Sequence, residues 1–315
     1  MRALLVVNPK ATTTSERSRD ILVRALRSEV DLTVEYTKRR GHAATLARDA
    51  ARAGIDVVVT LGGDGTVNEA VNGLLTAEPG AKDPAGGADR RPALAVVPGG
   101  STNVFARAIG LPRDWAEGTY VILQALRAGT TRTIGLGRAD DRYFTFCAGY
   151  GLDAEVIRRV ERARLRGKVS TPWLYMRSIG VQYFTETERK TQLLTLERSG
   201  EADVPSLASV VVQNTAPWTY VGDRAVNACP DASFDKNLDV MALKVLRVPS
   251  TARFFAQLAS ARPALTGKQV LTLHDVGSFT LRASRPLSFQ LDGDYLGERG
   301  KVEFVAVPQA LRVVC

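Results

Sequence analysis

The chain has 315 residues, of which 45% are hydrophobic and 24% are charged, and its formal net charge is +9 at pH 7. This length is enough for two domains, and the composition is ordinary for a soluble globular protein. No stretch approaches the roughly 18 consecutive uncharged apolar residues that a membrane-spanning helix needs.

The N-terminal residues and the cysteines indicate where the protein is expected to work. The apolar run from Ala3 to Val7 is too short for the core of a signal peptide. Cys147, Cys229 and Cys315 are scattered and odd in number, which favours neither a disulfide framework nor a zinc site. We therefore expect a cytoplasmic protein. Its positive charge favours anionic partners such as nucleic acid, acidic lipid surfaces or nucleotides.

Buried strands alternate with amphipathic helices in the first part of the chain. Asn8-Pro9 follows the first predicted strand, and Thr37 follows the second. His42 lies near the start of a helix and is interpreted as a helix-start residue. The pattern predicts a strand over 2–7, a helix over 15–27 capped by Thr14 or Ser15, a strand over 32–36 and a helix over 41–53.

The centre of this alternation is the stretch Val57 to Leu74, VVVTLGGDGTVNEAVNGL. Its first five residues are apolar or β-branched, which predicts a strand buried on both faces. Gly62, Gly63 and Gly65 then remove side chains from the turn, which permits positive φ angles and close approach of a ligand. A helix is predicted from Thr66 onward. Such a turn at a helix N-terminus is an anion site, because unpaired N–H groups and the helix dipole point at it.

A phosphate is the obvious anion, although this turn differs from the common phosphate-binding loops. No lysine follows the glycines, so the positive charge must come from a metal ion or from elsewhere in the fold. Asp64 lies inside the turn. It would orient a loop, bind a hydrated cation or simply cap the helix.

A second strand–glycine–helix unit follows a predicted surface loop over 77–92 that is rich in Ala, Gly and Pro. Ala93 to Val97 predicts a buried strand, which leads into Pro98-Gly99-Gly100-Ser101-Thr102-Asn103. The hydroxyl of Ser101 can donate to a phosphate. Two such turns from one parallel sheet would open at the carboxyl ends of the strands, where α/β folds bind ligands. This convergence favours a nucleotide site.

The pattern changes near Thr131, after a predicted helix over 114–126 that ends at Gly129. The short β-rich runs that follow favour an antiparallel β-sandwich, with a domain boundary near residue 130. The predicted strands cover 133–138, 143–148, 193–196, 209–213, 240–246, 270–273, 278–281, 287–291 and 302–307.

Residues 151–184 interrupt the strands and predict one or two helices, in which Trp173, Tyr175 and Tyr183 follow a basic cluster. Cations beside aromatic rings suit an interfacial membrane contact, and the alternative is a solvated helix face with core aromatics. No base-reading module accompanies the cluster, so nucleic acid is not expected as a partner. The cluster consists of Arg158, Arg159, Arg162, Arg164, Arg166 and Lys168, with only Glu161 opposing them.

The sequence GGDGTVNEAVNGL, over 62–74, resembles the GGDGTxNEvxNGL motif of the bacterial diacylglycerol kinase family of lipid kinases. Sphingosine, ceramide and NAD kinases share the GGDGT core. Asn8-Pro9 matches the family's N-P-x-S-G turn, in which Ala11 and Thr12 replace Ser-Gly. Thr37 and Gly41-His42-Ala43 match a T…GHA segment that lies near the nucleotide in the family.

The second glycine turn and a later acidic segment resemble the same family. Pro98 onward is similar to P-x-G-T-x-N-D-F-A-R, with Ser101 for Thr and Val104 for Asp. DASFDKNLD, over 231–239, falls where the family holds a structural magnesium ion. Asp235 matches the first acidic position and Lys236 occupies the second, while Asp239 could compensate.

The strand over 287–291 ends in Asp292-Gly293, which is a strong hairpin-turn signal. Asp292-Gly293-Asp294 also resembles the family's D-G-E motif, with Asp294 in place of Glu. In the family this motif carries the acid that deprotonates the lipid hydroxyl. A shorter carboxylate keeps the chemistry of a base.

The resemblance implies an α/β plus β architecture. An N-terminal Rossmann-like αβα nucleotide-binding domain would cover 1–130, with a tail of about 300–315 packing back on it, and an antiparallel β-sandwich lipid-acceptor domain would cover 131–299. The implied activity is that of an ATP-dependent lipid kinase, using ATP and Mg²⁺ to phosphorylate diacylglycerol or a similar lipid. Transient peripheral association with an anionic membrane surface is expected, and a homodimer is plausible.

The resemblance also implies roles for particular residues, and two alternatives stay open. The chain could be an NAD kinase-like enzyme with a soluble acceptor, or a catalytically weak nucleotide- or lipid-binding regulator. The implied metal ligands are Asp64, Asp235 and Asp239, and the implied base is Asp292 or Asp294. The implied nucleotide-binding or supporting residues are Asn8, Pro9, Thr37, Gly62, Gly63, Asp64, Gly65, Thr66, Asn68, Glu69, Gly100, Ser101 and Asn103.

Overall fold

The structure is a computed structural model that describes residues 1–11, 15–76, 91–167, 171–187, 191–258, 260 and 265–315. The chain divides into two compact units. One comprises Met1–Ile134 with Gln309–Cys315, and the other comprises Gly135–Pro308. Most of the predicted loop over 77–92 lies outside the described residues. Within the part of the chain that is described, no helix has the length and apolar character needed to cross a membrane.

The first unit alternates strands and helices along the chain. The side chain of Ser15 accepts a hydrogen bond from Ser18 N and caps the first helix, whereas Thr14 lies outside the described residues. The last helix of this unit ends at Gly129, as predicted, and Asp114, which was predicted inside the helix, is its N-cap. The elements are β1 (Arg2–Val7), α1 (Glu16–Arg27), β2 (Asp31–Tyr36), α2 (His42–Arg52), β3 (Val57–Gly62), α3 (Asp64–Thr76), β4 (Ala93–Pro98), α4 (Val104–Ala108) and α5 (Trp115–Ala128).

The four strands of the first unit form a parallel sheet in the order β2-β1-β3-β4. Near the end of the chain, Val313 pairs in parallel with Leu94 at the free edge of β4. Both β3 and β4 are buried along their whole length, as their β-branched sequences predict. The predicted apolar face of α3, which includes Val67 and Leu74, is also buried.

The second unit is mainly antiparallel. α7 continues into a π-helix, Gln182–Glu186. Two strands belong partly to each unit, since β5 (Thr131–Ala139) starts in the first unit and β16 (Asp294–Val314) ends in it. The other elements are β6 (Arg142–Phe144), β7 (Cys147–Tyr150), α6 (Leu152–Leu165), α7 (Pro172–Val181), β8 (Leu194–Glu197), β9 (Val204–Leu207), β10 (Ser209–Gln213), β11 (Thr219–Val221), β12 (Arg224–Val226), β13 (Leu238–Leu243), α8 (Val248–Leu258), β14 (Val270–Val276) and β15 (Ser278–Leu291).

One long strand organises the second unit. The first half of β15 pairs with β8, and its second half pairs with β7. A register shift between Arg282 and Leu287 lets the strand pass Pro286, whereas the sequence pattern predicted two separate strands here. One face of the sheet carries a cluster of aromatic rings, and α6 and α8 pack with Tyr183 in a second cluster. The predicted α/β plus antiparallel β fold class is confirmed, although β9, α8 and the small β11–β12 hairpin were missed.

Gly73 permits a close contact between α2 and α3. A Cβ atom on Gly73 would lie 2.2 Å from the carbonyl oxygen of Ala44. We expect Gly73→Ala to destabilise the chain by about 2 kcal/mol, because the added methyl group must push the helices apart. Urea unfolding followed by circular dichroism measures this change.

Gly180 provides the matched control. It also lies in a helix, α7, but nothing lies within 4 Å of the position of its Cβ atom. We expect Gly180→Ala to be neutral or to stabilise by roughly 0.5–1 kcal/mol, as in an open helix. Equal effects of the two substitutions would contradict the close contact at Gly73.

Candidate active site

Four segments of the first unit reach the same edge of its parallel sheet. Val7 is in register with Leu61 and Tyr36, and Gly62 is in register with Pro98. The residues that follow each strand therefore lie at a common edge, formed by the carboxyl ends of the strands. These are the predicted nucleotide residues: Asn8-Pro9 after β1, Thr37 after β2, Gly62-Gly63 with β3, and Gly99-Gly100 after β4.

The two glycine turns contact each other backbone to backbone. A Cβ atom on Gly100 would lie 2.7 Å from Gly63 Cα, and one on Gly99 would lie 2.9 Å from Gly62 N. Gly99 N also donates to Gly62 O at 2.9 Å. None of Gly62, Gly63 and Gly65 adopts the positive φ angle that glycine permits. Here glycine is required for close packing, because any side chain would separate the turns.

Asp64 joins the two turns. Its carboxylate accepts hydrogen bonds from Val104 N at 3.1 Å and from Phe105 N at 3.0 Å. The sequence left three roles open for Asp64: orienting a loop, binding a hydrated cation or capping a helix. The structure shows that Asp64 orients a loop, and the N–H groups that it accepts from lie at the start of α4. The helix α3 begins at Asp64 itself, two residues earlier than predicted.

Asn103 and Glu69 brace the surrounding loops. Asn103 has a φ of 50°, and its side chain accepts from Gly100 N and donates to Gly100 O, both at 2.8 Å. The Glu69 carboxylate accepts from Gly41 N at 2.7 Å and Ala43 N at 3.1 Å, at the start of α2. Both residues therefore support the backbone of the edge. A direct nucleotide contact by either one stays a prediction.

The remaining predicted nucleotide residues differ in accessibility. Asn8 Nδ2 donates to Thr66 Oγ1 at 3.1 Å, which ties the first loop to the start of α3. Thr37 N donates to Val7 O. Asn68 is buried and accepts from Asn72 Nδ2. By contrast, Ser101 is exposed, so its hydroxyl is accessible to a ligand.

In the second unit, Asp292 is only 4% exposed and holds four hydrogen-bond donors. Its Oδ2 accepts from Thr145 N at 2.7 Å and Thr145 Oγ1 at 2.9 Å, and its Oδ1 accepts from Phe146 N at 3.0 Å and Cys147 N at 3.1 Å. Four donors occupy the usual capacity of a carboxylate. Asp292 thus anchors the end of β15 to the segment before β7.

The predicted hairpin is present. Asp292 and Gly293 have φ values of 48° and 80°, and Leu291 pairs with Asp294 across the turn. Asp294 follows the turn with a side chain that is 21% exposed, and Arg142 Nη2 lies 3.8 Å from its Oδ2. Asp294 is therefore the more accessible of the two predicted acids.

Sequence reasoning missed two residues behind this turn. Gln290 is buried, accepts from Gly293 N at 2.9 Å and donates to Asp153 Oδ2 at 2.6 Å. Burial raises the pKa of Asp153 from 3.8 to about 6, and the hydrogen bond from Gln290 opposes this shift. The sequence did contain one signal for this pair, because Gln290 is a polar residue between the apolar Phe289 and Leu291. Its partner could not be identified from spacing.

The predicted metal segment has a different arrangement. His274 Nδ1 lies 2.8 Å from the carboxylate of Asp239, which also accepts from Asp275 N at 3.0 Å. Lys236 Nζ lies 2.9 Å from His274 Nε2, so the imidazole ring separates the ammonium group from the Asp239 carboxylate. Asp235 is exposed.

These contacts correct the prediction of a magnesium site at Asp235 and Asp239. Lys236 replaces one carboxylate, and Asp239 is already engaged by His274 and a backbone N–H group. In the described residues, no group of three or more His, Cys, Asp or Glu side chains is placed to hold a metal ion. The residues do not fit a divalent ion at this position.

Comparison with known proteins shows which family the first part of the chain resembles. The family model of the diacylglycerol kinase catalytic domain matches residues 2–139. Residues 2–139 of the chain are therefore similar to a diacylglycerol kinase catalytic domain. The matched range contains both glycine turns, Asp64 and Glu69, so the loop-bracing residues lie within the family's domain. The Asp292-Gly293-Asp294 turn lies outside it.

Individual relatives of this kinase family extend the comparison. The chain is 26% identical to a diacylglycerol kinase of Bacillus subtilis, with 99% of this chain and 96% of that protein covered. It is 33% identical to a diacylglycerol kinase of Staphylococcus haemolyticus, over 42% of this chain and 36% of that protein. A crystal structure of a diacylglycerol kinase from Bacillus anthracis superposes with a TM-score of 0.71 at 19% identity, with 99% and 96% of the two chains covered. This last likeness shows a shared fold.

We expect Asp64→Ala to destabilise the chain by about 2–3 kcal/mol, because it leaves two backbone N–H groups in a poorly hydrated position without their charged acceptor. Asp114→Ala is the matched control. Asp114 likewise accepts from two backbone N–H groups, at the start of α5, but it is exposed and water can replace it. Its loss should cost about 1 kcal/mol. Urea unfolding that ranks the control as more damaging would contradict the bridging role of Asp64.

A pH-dependent effect is expected at Asp153. Because the folded chain keeps this proton to higher pH than the unfolded chain, stability falls as the pH rises from about 4 to about 6. Asp153→Asn cannot lose the proton. Its melting temperature relative to the wild type should therefore increase across that range. A constant difference in melting temperature would contradict the raised pKa.

Proposed function

We propose that this chain is an ATP-dependent lipid kinase that transfers the γ-phosphoryl group to the hydroxyl of diacylglycerol or a similar lipid. The observation that carries the proposal is the pair of glycine turns in contact at one edge of the parallel sheet. The match to the diacylglycerol kinase catalytic-domain model and the names of the relatives support a lipid acceptor.

The nucleotide would bind through the backbone of these turns. Gly63 and Gly100 present no side chains, so phosphate oxygens can approach the N–H groups at the start of α3. Ser101 adds an exposed hydroxyl. We propose that Asp64 orients the two loops and that magnesium arrives with ATP, where it neutralises phosphate charge. Phosphoryl transfer depends mainly on such positioning and charge neutralisation.

We propose Asp294 as the general base and Asp292 as the residue that positions it. Both oxygens of Asp292 already accept two hydrogen bonds each, and the side chain is almost fully buried. Such a carboxylate has little capacity left to accept a proton from a lipid hydroxyl. Asp294, by contrast, has a side chain that is 21% exposed, so a lipid hydroxyl can reach it.

Two other functions are distinguishable by experiment. The family model that matches argues against the NAD kinase-like alternative, which predicts formation of NADP from NAD and ATP. The alternative of a catalytically weak regulator is motivated by departures from the family's motifs. Val104, which is buried, replaces an Asp, and Asp294 replaces a Glu. This alternative predicts ATP binding without turnover on any acceptor.

The test is transfer of labelled γ-phosphate from magnesium-ATP to a total lipid extract and to diacylglycerol in mixed micelles. We expect the wild type to label a lipid. Asp294→Asn should lose about 10²-fold or more of the rate with unchanged thermal unfolding, because only the base is removed. Asp294→Glu should retain activity, since it keeps a carboxylate at this position.

Asp292→Asn separates positioning from catalysis. It should lower the melting temperature as well as the activity, because an amide cannot accept all four hydrogen bonds. A folded wild-type protein that labels no lipid would overturn the proposal, and the same samples would then be tested with NAD. If Asp292→Asn and Asp294→Asn lost the same activity and kept the same melting temperature, the assignment of Asp294 as base and Asp292 as positioning residue would be contradicted.

A further inference from the structure

The helical segment of the second unit exposes an unusual set of large apolar side chains. Trp is rarely so accessible in a folded protein, and apolar groups clustered on a surface mark interaction sites. Four of these side chains lie within twenty consecutive residues. Their exposed fractions are 88% for Leu165, 76% for Trp173, 54% for Met176 and 62% for Phe184.

Three of the four line one side of the helix formed by α7 and its π-helical continuation. Trp173 and Met176 are three residues apart, and Gly180 and Phe184 follow at intervals of four, which is the spacing of one helix face. We call Trp173, Met176 and Phe184, together with Leu165 at the end of α6, the apolar ridge.

The opposite side of α7 is anchored to the second unit. Ser178, Gln182 and Tyr183 are buried, and Tyr183 OH donates to Leu246 O at 2.6 Å. Gln182 Nε2 donates to Glu155 in α6 at 3.1 Å. The helix is therefore held in place with its apolar ridge turned to solvent. Of the two alternatives left open by the sequence, the core aromatic applies to Tyr183, which is buried, and Tyr175 is half-buried.

Exposed arginines lie beside the apolar ridge, and the nearby acids have other partners. Glu155 accepts from Gln182 and Thr187, and Glu161 accepts from Tyr295 N at 3.2 Å. Glu186 pairs with Arg159. α7 itself contains no Asp or Glu. The exposed cations are Arg162, Arg164 and Arg166 around the end of α6 and Arg177 in α7.

Two members of the predicted basic cluster are paired and do not count toward this surface. Arg158 lies 3.6 Å from Glu298 and over the ring of Tyr295, and Arg159 contacts Glu186 at 2.5 Å. Lys168 lies outside the described residues. Among the described residues of this helical segment, the positive charge that faces solvent is therefore carried by the four exposed arginines named above.

We propose that the apolar ridge inserts into the headgroup region of an anionic lipid bilayer. Trp173 has a large ring with an N–H donor, which suits the boundary between water and hydrocarbon. The arginines would contact lipid phosphates through their guanidinium groups. Charge complementarity selects an anionic bilayer over a second copy of this chain, because a copy would bring the same four arginines to the contact. This binding requires neither ATP nor catalysis.

The test is co-sedimentation of the full chain, without nucleotide, with phosphatidylcholine vesicles that contain or lack phosphatidylglycerol. We expect binding to the anionic vesicles, weakened by salt. The double variant Trp173→Ser/Phe184→Ser should reduce the affinity about tenfold or more, because the inserted surface is lost. Arg164→Gln/Arg166→Gln should weaken binding and reduce its salt dependence.

Controls separate insertion from unfolding and from other surfaces. Tyr120 in α5 is 63% exposed, and Tyr120→Ser should leave vesicle binding unchanged. Trp173→Phe should keep binding but abolish the quenching of tryptophan fluorescence by brominated lipids that Trp173 produces on insertion. All variants should unfold at the wild-type temperature, since the substituted side chains are exposed.

Three results would overturn the proposal. The wild type could fail to bind anionic vesicles, or the double variant could bind as well as the wild type. Light scattering could also show a dimer that the double variant dissociates, in which case a second copy covers the apolar ridge. Each outcome is independent of kinase activity, which would be measured separately on a short-chain diacylglycerol that needs no vesicle.

Discussion

The first unit depends on the contact between two backbone turns that carry no side chains where they meet. Gly63 and Gly100 approach so closely that a Cβ atom on Gly100 would lie 2.7 Å from its neighbour. This proximity brings Val104 N and Phe105 N within reach of the Asp64 carboxylate. This edge of the sheet is thus built from main-chain groups, and the proposed phosphate site would use their N–H groups in place of a lysine in the turn.

Carboxylates in this chain serve as acceptors for backbone N–H groups at each predicted site. Asp64, Glu69 and Asp292 each bridge a motif to a distant segment, and Asp239 pairs with His274. Buried N–H groups need partners, and a charged acceptor satisfies two or more of them at once. Acids that resemble catalytic or metal-binding residues therefore position the loops, and Asp294 is the more exposed acid of the Asp292-Gly293-Asp294 turn.

The helical segment of the second unit shows how anchoring and exposure divide one helix. Tyr183 and Gln182 fix α7 against the unit, so Trp173 and Phe184 stay in solvent without collapsing onto the core. A lipid kinase meets its acceptor in a bilayer, and a preformed apolar surface bordered by arginines would hold such an enzyme there at little conformational cost. Binding to the surface and phosphoryl transfer would then be carried by different residues.

The sequence by itself determined the fold class, because its signals are local. The β-branched runs ending at Gly62 and Pro98, the caps of α5 and the Asp-Gly turn each follow from periodicity or turn chemistry within a few residues. The sequence also located the glycine turns and the motif acids. Only the tertiary structure decided what those acids do. The donors to Asp64 and Asp292 lie at least 40 and 145 positions away, and all but the Thr145 hydroxyl are backbone groups, which residue type does not reveal. The exposure of Trp173 and the burial of Tyr183 were likewise decided by which face of α7 packs on the core.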